Sequence, residues 1–307
     1  MRRVPPNVHP KETIVTRFLR PAVAGLVLAF AAAPVPSAAA DDAAIARGAY
    51  LAAAAGCDQC HSDTKNGGAP YAGGRRLATE FGTITTPNIT PDKATGIGGW
   101  SFDDFARAMR WGVAPDGTHY VTVFPFPYSR QLSDSDLADL KAFLDSLAPV
   151  SRPDLGRADS LALLARARDA IGAAIAAIWT PHPAAPSDPT VARGAYLAVA
   201  VGYCGDCHTP RTWLGAPDPD RELAGSTGWF NGKKGPNITP DTKTGIGNWS
   251  IDEIATSLKT GETPDFDVLG GTMAEIVRNT ARLTDDDRRA IAAYLKSLPA
   301  KSFGKNS

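Results

Sequence analysis

The sequence predicts an all-α chain made of two tandem copies of one helical domain, with long loops and a partly helical linker between them. Three observations carry this. An ordered set of motifs occurs twice, which marks a duplicated unit. Apolar residues recur at helical spacing behind Ser or Thr capping residues. A five-residue pattern, Cys57-Asp58-Gln59-Cys60-His61, returns as Cys204-Gly205-Asp206-Cys207-His208, and the two use all 4 cysteines of the 307-residue chain.

The repeat sets the boundaries. Arg47-Gly48-Ala49-Tyr50-Leu51 matches Arg193-Gly194-Ala195-Tyr196-Leu197. Pro87-Asn88-Ile89-Thr90-Pro91-Asp92 matches Pro236-Asn237-Ile238-Thr239-Pro240-Asp241. Thr95-Gly96-Ile97-Gly98 with Trp100-Ser101 matches Thr244-Gly245-Ile246-Gly247 with Trp249-Ser250, and Leu132-Ser133-Asp134 matches Leu283-Thr284-Asp285. The expected organisation is a signal over 1–40, a first domain over 41–150, a linker over 151–188 and a second domain over 189–307.

The signal reading rests on Arg2, Arg3, Lys11, Arg17 and Arg20, an apolar run from Pro21 to Val35, and Ala38-Ala39-Ala40 before Asp41, in the order of a cleaved secretory leader. The run is shorter than the roughly 20 residues of a spanning helix, and the paired arginines of a twin-arginine signal are missing. Cleavage by the general secretory route leaves a mature chain with no membrane anchor of its own. That chain holds 27 basic and 31 acidic residues, which argues against nucleic acid as a partner.

Within each copy the elements follow from local chemistry. Alanine-rich Asp42–Ala55 favours helix and stops at Gly56; its counterpart starts near Pro189 and ends at Gly202. A middle helix follows Ser101, with Asp104 three residues on as a capping-box partner and Phe102, Phe105, Ala106 and Met109 on one face. Ser250 and Glu253 cap the second-copy equivalent, with Ile251, Ile254, Ala255 and Leu258 inward. The last helices follow Ser133 and Thr284, with Leu140, Phe143, Leu144 and Leu147, and Ile291, Tyr294, Leu295 and Leu298, facing in; Pro149 and Pro299 stop them. In the linker, 161–179 is expected to be helical and to set the distance between the two sites, with a proline-stiffened stretch behind it.

Cys-x-x-Cys-His is the attachment pattern of a c-type haem: each thiol forms a thioether to a vinyl group, and the histidine sits under the iron. A thioredoxin-like pair needs a βαβ context that is not visible here. A zinc site draws four ligands from nearby clusters, whereas these lie in separate copies. Disulfides leave both histidines unexplained. Two covalently bound haem c groups are therefore expected, held by Cys57, Cys60 and His61 and by Cys204, Cys207 and His208.

Taken together, Cys-x-x-Cys-His, Asn-Ile-Thr-Pro-Asp, Thr-Gly-Ile-Gly-x-Trp-Ser and the final Leu-Ser/Thr-Asp helix resemble the multihaem cytochrome c subunits of bacterial periplasmic dehydrogenases, of which the alcohol and gluconate dehydrogenase subunits are the best-known group. Two motifs make this chain similar to the dihaem relatives. The resemblance implies two class I cytochrome c-like domains, periplasmic location, electron transfer from a dehydrogenase catalytic subunit, and a downstream cytochrome or oxidase. It also implies that Pro87 and Pro236 offer their carbonyls to the proximal histidines.

Haem iron in such proteins takes a second axial ligand, Met or His, that sets its potential. Met273 lies where the family carries its axial methionine, on an expected loop with Gly270 and Gly271. The family's stretch Tyr-Pro-Ala-Met-Pro-Tyr is replaced in the first copy by Val123-Phe124-Pro125-Phe126-Pro127-Tyr128, so Phe124 stands in the methionine's place. His119 is the favoured sixth ligand of the first haem, Met109 is read as core, and an open or water-bound site is the alternative. Bis-His ligation makes the first haem the low-potential entry and the second the high-potential exit. Trp100 and Trp249 either bond haem propionates or pack, and Arg75 and Arg76 either pair with a propionate or are solvated. An enzyme using an open first haem, of peroxidase or thiosulfate-oxidising type, is the competing function. Neither a dinucleotide fingerprint nor a nucleophile elbow is found.

Overall fold

A computed structural model describes residues 42–79, 82–120, 123–152, 174, 186–212, 216–227 and 235–303. The expected signal over 1–40 and, apart from Ala174, the expected helix over 161–179 lie outside the described residues. What is described is mostly helical, and no helix in it is long and apolar enough to cross a membrane.

In the first copy, α1 (Asp42–Ala54) leads into the short α2 (Cys57–Cys60), and α3 (Phe102–Trp111), α4 (Phe126–Ser129) and α5 (Asp134–Ser146) follow. In the second, α6 (Pro189–Tyr196) leads to α7 (Cys204–His208), then α8 (Ile251–Thr260), α9 (Gly271–Thr280) and α10 (Asp285–Ser297). The all-α expectation omits one element: β1 (Arg76–Thr79) and β2 (Gly82–Thr85) form an antiparallel pair with Leu77 opposite Ile84.

The capping residues act as their chemistry requires. Ser101 and Asp104 form a complete capping box at α3, as do Ser250 and Glu253 at α8, and both helices end on left-handed glycines, Gly112 and Gly261. Ser133 and Thr284 accept the N–H groups of Asp136 and Asp287 at the starts of α5 and α10. Two stripe residues depart from the expectation. Phe102 and Ile251, the first residues of their helices, are each 39% exposed, while Phe105 and Ile254 are buried.

In each copy the first helix crosses the last at close range. A Cβ at Gly48 would stand 2.0 Å from the Asp139 carbonyl oxygen, and one at Gly194 would stand 1.8 Å from that of Ala290. This crossing explains the Arg-Gly-Ala-Tyr-Leu repeat. Its glycine lets two backbones touch, and its arginine binds the facing helix. Arg47 pairs with Asp139 at 2.6 and 3.0 Å, and Arg193 pairs with Asp287 at 2.9 Å twice.

The repeat's tyrosine joins the copies. Tyr50 donates to Asp287 at 2.6 Å and accepts from the Thr284 N–H, so it caps the second copy's last helix. Tyr196 does the same in the opposite direction, with Asp136 and the Ser133 N–H. One contiguous core then runs through both copies, including Leu51, Phe105 and Leu140 of the first and Leu197, Ile254 and Ile291 of the second. The described residues form one compact unit.

Candidate functional site

Both Cys-x-x-Cys-His segments form a single helical turn entered through a left-handed residue: Gly56 (φ 67°) before Cys57 and Tyr203 (φ 39°) before Cys204. The second copy carries one more residue between its Tyr-Leu pair and its first cysteine. That extra residue is absorbed by a π-helical turn over Leu197–Val201, the usual consequence of a one-residue insertion in a helix.

Each turn fixes its histidine in the same way. The Nδ1 of His61 lies 2.8 Å from the Pro87 carbonyl, and the Nδ1 of His208 lies 2.7 Å from that of Pro236. A carbonyl only accepts, so Nδ1 carries the proton and Nε2 keeps its lone pair. Burial lowers both imidazole pKa values, opposed by the proline carbonyls. Neutral imidazole with a fixed tautomer is the form that binds a metal.

The Asn-Ile-Thr-Pro-Asp repeat positions those prolines. Asn88 donates to the Val150 carbonyl at 2.7 Å and accepts from the N–H and hydroxyl of Thr90 at 2.9 and 2.8 Å. Asn237 makes the same set with Lys301, at 2.6 Å, and Thr239, at 2.8 Å twice. Asp92 and Asp241 then close the turn onto Thr95 and Thr244. The motif ties the chain beyond each last helix to the loop that presents the carbonyl.

The thiols lack the character of redox-active thiolates. All four cysteines are unpaired. Burial pushes Cys57 and Cys207 up to about 12 and Cys204 up to about 11, far from the depressed values of reactive thiolates. Cys60 is also raised, chiefly by burial, with Arg75 acting against it and Glu275 with it. Among the described residues no group of three or more His, Cys, Asp or Glu is arranged to hold a metal ion. A haem fits the chemistry of each turn: two thiols, one free imidazole nitrogen, and half-buried apolar side chains beside the core. Those side chains are Ile89, Trp100 and Met109 in the first copy and Ile238, Trp249 and Leu258 in the second. Among the described residues the Tyr294 hydroxyl, in a residue only 1% exposed, meets no hydrogen-bond partner, which a bound group with polar edges would supply.

Met273 is expected on a loop. It is the third residue of α9, and half-buried. This helix starts at Gly271, which takes a left-handed conformation (φ 60°). His119 is exposed and lies on a turn, bridged through its backbone to Val113. Val268 occupies the same place in the second copy, bridged to Glu262 and 67% exposed. Met109 is half-buried against the core, and Phe124 packs edge-to-face on Tyr120 at 5.6 Å. Arg76 is exposed, while Arg75 pairs with Glu275 of the second copy at 2.9 Å.

Residues with no sequence signal complete the surroundings, all of them across the copies. Gln59 donates to the Asn279 side chain at 2.7 Å and to the Glu275 carbonyl. The Tyr203 hydroxyl donates to the Ala55 carbonyl at 2.5 Å. A Cβ on Gly56 would stand 2.2 Å from Asn279, and one on Gly205 would stand 3.0 Å from Tyr128. Each attachment turn therefore rests against the other copy.

Comparison with known proteins agrees with this chemistry. A family model described as cytochrome c matches residues 45–148. A protein named dihaem cytochrome c-type from Cereibacter sphaeroides is 43% identical over 264 residues, 83% of this chain and 86% of that protein. The gluconate 2-dehydrogenase cytochrome c subunit of Pantoea cypripedii is 40% identical over 274 residues, 85% of this chain. The cytochrome c subunit of the quinone alcohol dehydrogenase of Gluconobacter oxydans is 36% identical over 302 residues, 94% of this chain. The chain spans 61% of the length of each of these two subunits. Covalently bound haem c as cofactor and electron transfer as function follow from these matches. The chain belongs to the family of multihaem cytochrome c subunits of dehydrogenases.

Proposed function

We propose that the protein is a periplasmic dihaem cytochrome, organised as two tandem cytochrome c-like domains, that takes electrons from the catalytic subunit of a dehydrogenase and passes them to a downstream cytochrome or oxidase. The observation that carries this reading is the pair of equivalent turns, each with two thiols and a histidine held in one tautomer by a proline carbonyl. Cys57, Cys60 and His61 hold one haem, and Cys204, Cys207 and His208 hold the other. The bound iron supplies a one-electron couple, and the chain supplies attachment, orientation and the local field. Sharing a core keeps the two attachment turns at a fixed separation. The named relatives that are dehydrogenase subunits support the catalytic partner.

Met273 is the proposed sixth ligand of the second haem. For the first haem, the exposure of His119 weighs against ligation, and Phe124 offers no donor. This favours keeping a second reading, an enzyme that uses an exchangeable position at the first haem. Carbon monoxide addition to the reduced protein separates the two. Absence of binding at either haem supports electron transfer alone, and rapid binding at one haem supports the enzyme. Met273→Ala is expected to remove the thioether signature from the ferric spectrum of one haem only. Loss of that signature from neither haem refutes the assignment.

A further inference from the structure

Arg75 reaches the first attachment turn and the second copy at once. Its Nη1 donates to the carbonyl of Gln59, inside the turn and next to Cys60, at 2.5 Å, and its Nη2 lies 2.9 Å from the Glu275 carboxylate. Glu275 stands on α9, two residues beyond Met273. Gln59 binds the same helix through the Glu275 carbonyl and Asn279, so α9 is fastened to the first copy's turn. The pair is only partly solvated, with side-chain exposures of 28% and 31%. The second attachment turn is built differently. There Arg211 pairs with Asp206 within the same copy.

We infer that Arg75 and Glu275 form a cross-copy charge pair in which each charge offsets the other's effect on the reduction potential of the first haem, with Glu275 a balancing residue supplied by the second copy. The inference rests on the haem reading above. Ferric haem carries one more positive charge than ferrous, so a nearby carboxylate favours the ferric state and a guanidinium favours the ferrous state. Paired, the two fields largely cancel at the turn. Unpaired, each acts alone through a partly desolvated path where screening is incomplete.

The test is a redox titration of the purified protein with both haems attached. Wild type, Glu275→Gln, Arg75→Gln and the double variant are compared at low and high salt. Covalent mass and haemochrome content establish that both haems are in place, and Met273→Ala marks which spectral component belongs to the second. Glu275→Gln is expected to raise the first haem's potential, and Arg75→Gln to lower it. Each shift corresponds to about a threefold or larger change in the ferric-to-ferrous ratio at fixed potential, shrinking with salt, and the double variant returns close to wild type. Shifts of the same sign, no shift in either single variant, or equal shifts at both haems overturn the inference. A wild-type protein without covalent haem instead overturns the underlying reading.

Discussion

Gly48→Ala and Gly194→Ala test the helix crossing on which both attachment turns depend. The added methyl group at Gly48 would meet the Asp139 carbonyl oxygen at 2.0 Å, its carbon at 2.6 Å and the Phe143 Cβ at 2.7 Å; at Gly194 it would meet the Ala290 oxygen at 1.8 Å and carbon at 2.3 Å. The obstacles are mostly backbone, so no rotamer change relieves them, and the helices must part by more than ~1 Å to restore ordinary contact. Overpacking of this kind costs about 3 kcal/mol or somewhat more. Alanine in a helix interior returns ~1 kcal/mol. The expected net loss is therefore about 2 kcal/mol or more per site. Gly99→Ala is the control, since its Cβ would meet only the Lys93 oxygen at 3.8 Å, and a change within about 0.5 kcal/mol is expected there.

Urea unfolding followed by far-ultraviolet circular dichroism and by haem absorbance gives the comparison. Equal slopes allow the midpoints to be read as stability. Because α1 runs into Cys57, and α6 through the π turn to Cys204, the haem signal should move with the helical signal in both variants. Midpoints of Gly48→Ala and Gly194→Ala that match Gly99→Ala would refute the crossing geometry, and with it the explanation of the Arg-Gly-Ala-Tyr-Leu repeat.

Three further outcomes follow from the same geometry. Tyr50→Phe and Tyr196→Phe each remove a hydroxyl that donates to a carboxylate at the junction of the copies; each should cost about 1–2 kcal/mol in urea unfolding, and equality with wild type would deny the junction energetic weight. Burial, with the Asp136 hydrogen bond second, pushes Tyr196 up to about 12, above the unfolded value of about 10. The folded state holds that proton more tightly, so its contribution is complete below pH ~10 and lost as pH rises through about 12. Tyr196→Phe should accordingly flatten the decline in stability between those values. Ser101→Ala and Ser250→Ala break the two capping boxes and should each cost about 1 kcal/mol by thermal unfolding.

Much of this was legible because it is local. Caps, stripes and the attachment turns depend on residues within a few positions of each other, and the duplication displayed each of them twice. What stayed hidden has two physical causes. Helix α9 starts at Gly271 behind Gly270, a pair expected on a loop, yet Gly271 takes a left-handed conformation that glycine adopts without strain and the helix runs on from it. The short α4 sits among Pro125 and Pro127 and has no period to detect. The second cause is distance. Tyr50 was visible as a repeated residue, but its partner Asp287 is 237 positions away, and Glu275 is 200 positions from Arg75. A sequence read as two domains on a linker leaves no reason to look for either contact.

The inserted Tyr203 shows most clearly that the copies are matched to each other. The residue before the first cysteine must take a left-handed conformation, and the first copy satisfies this with Gly56 at no steric cost. The second copy places tyrosine there at φ 39°, a conformation that costs a bulky residue on the order of 1 kcal/mol or more. It also accepts a π turn in the helix behind it. Glycine at 203 would relieve the strain, but it has no side chain to reach the first copy. The tyrosine side chain packs against the common core, and its hydroxyl binds the Ala55 carbonyl just ahead of Gly56 and Cys57. Glycine at 56 is needed for the reciprocal reason, since Asn279 occupies the space a Cβ would fill. The two entry residues differ because each is fitted to the other copy, Gly56 to Asn279 and Tyr203 to Ala55.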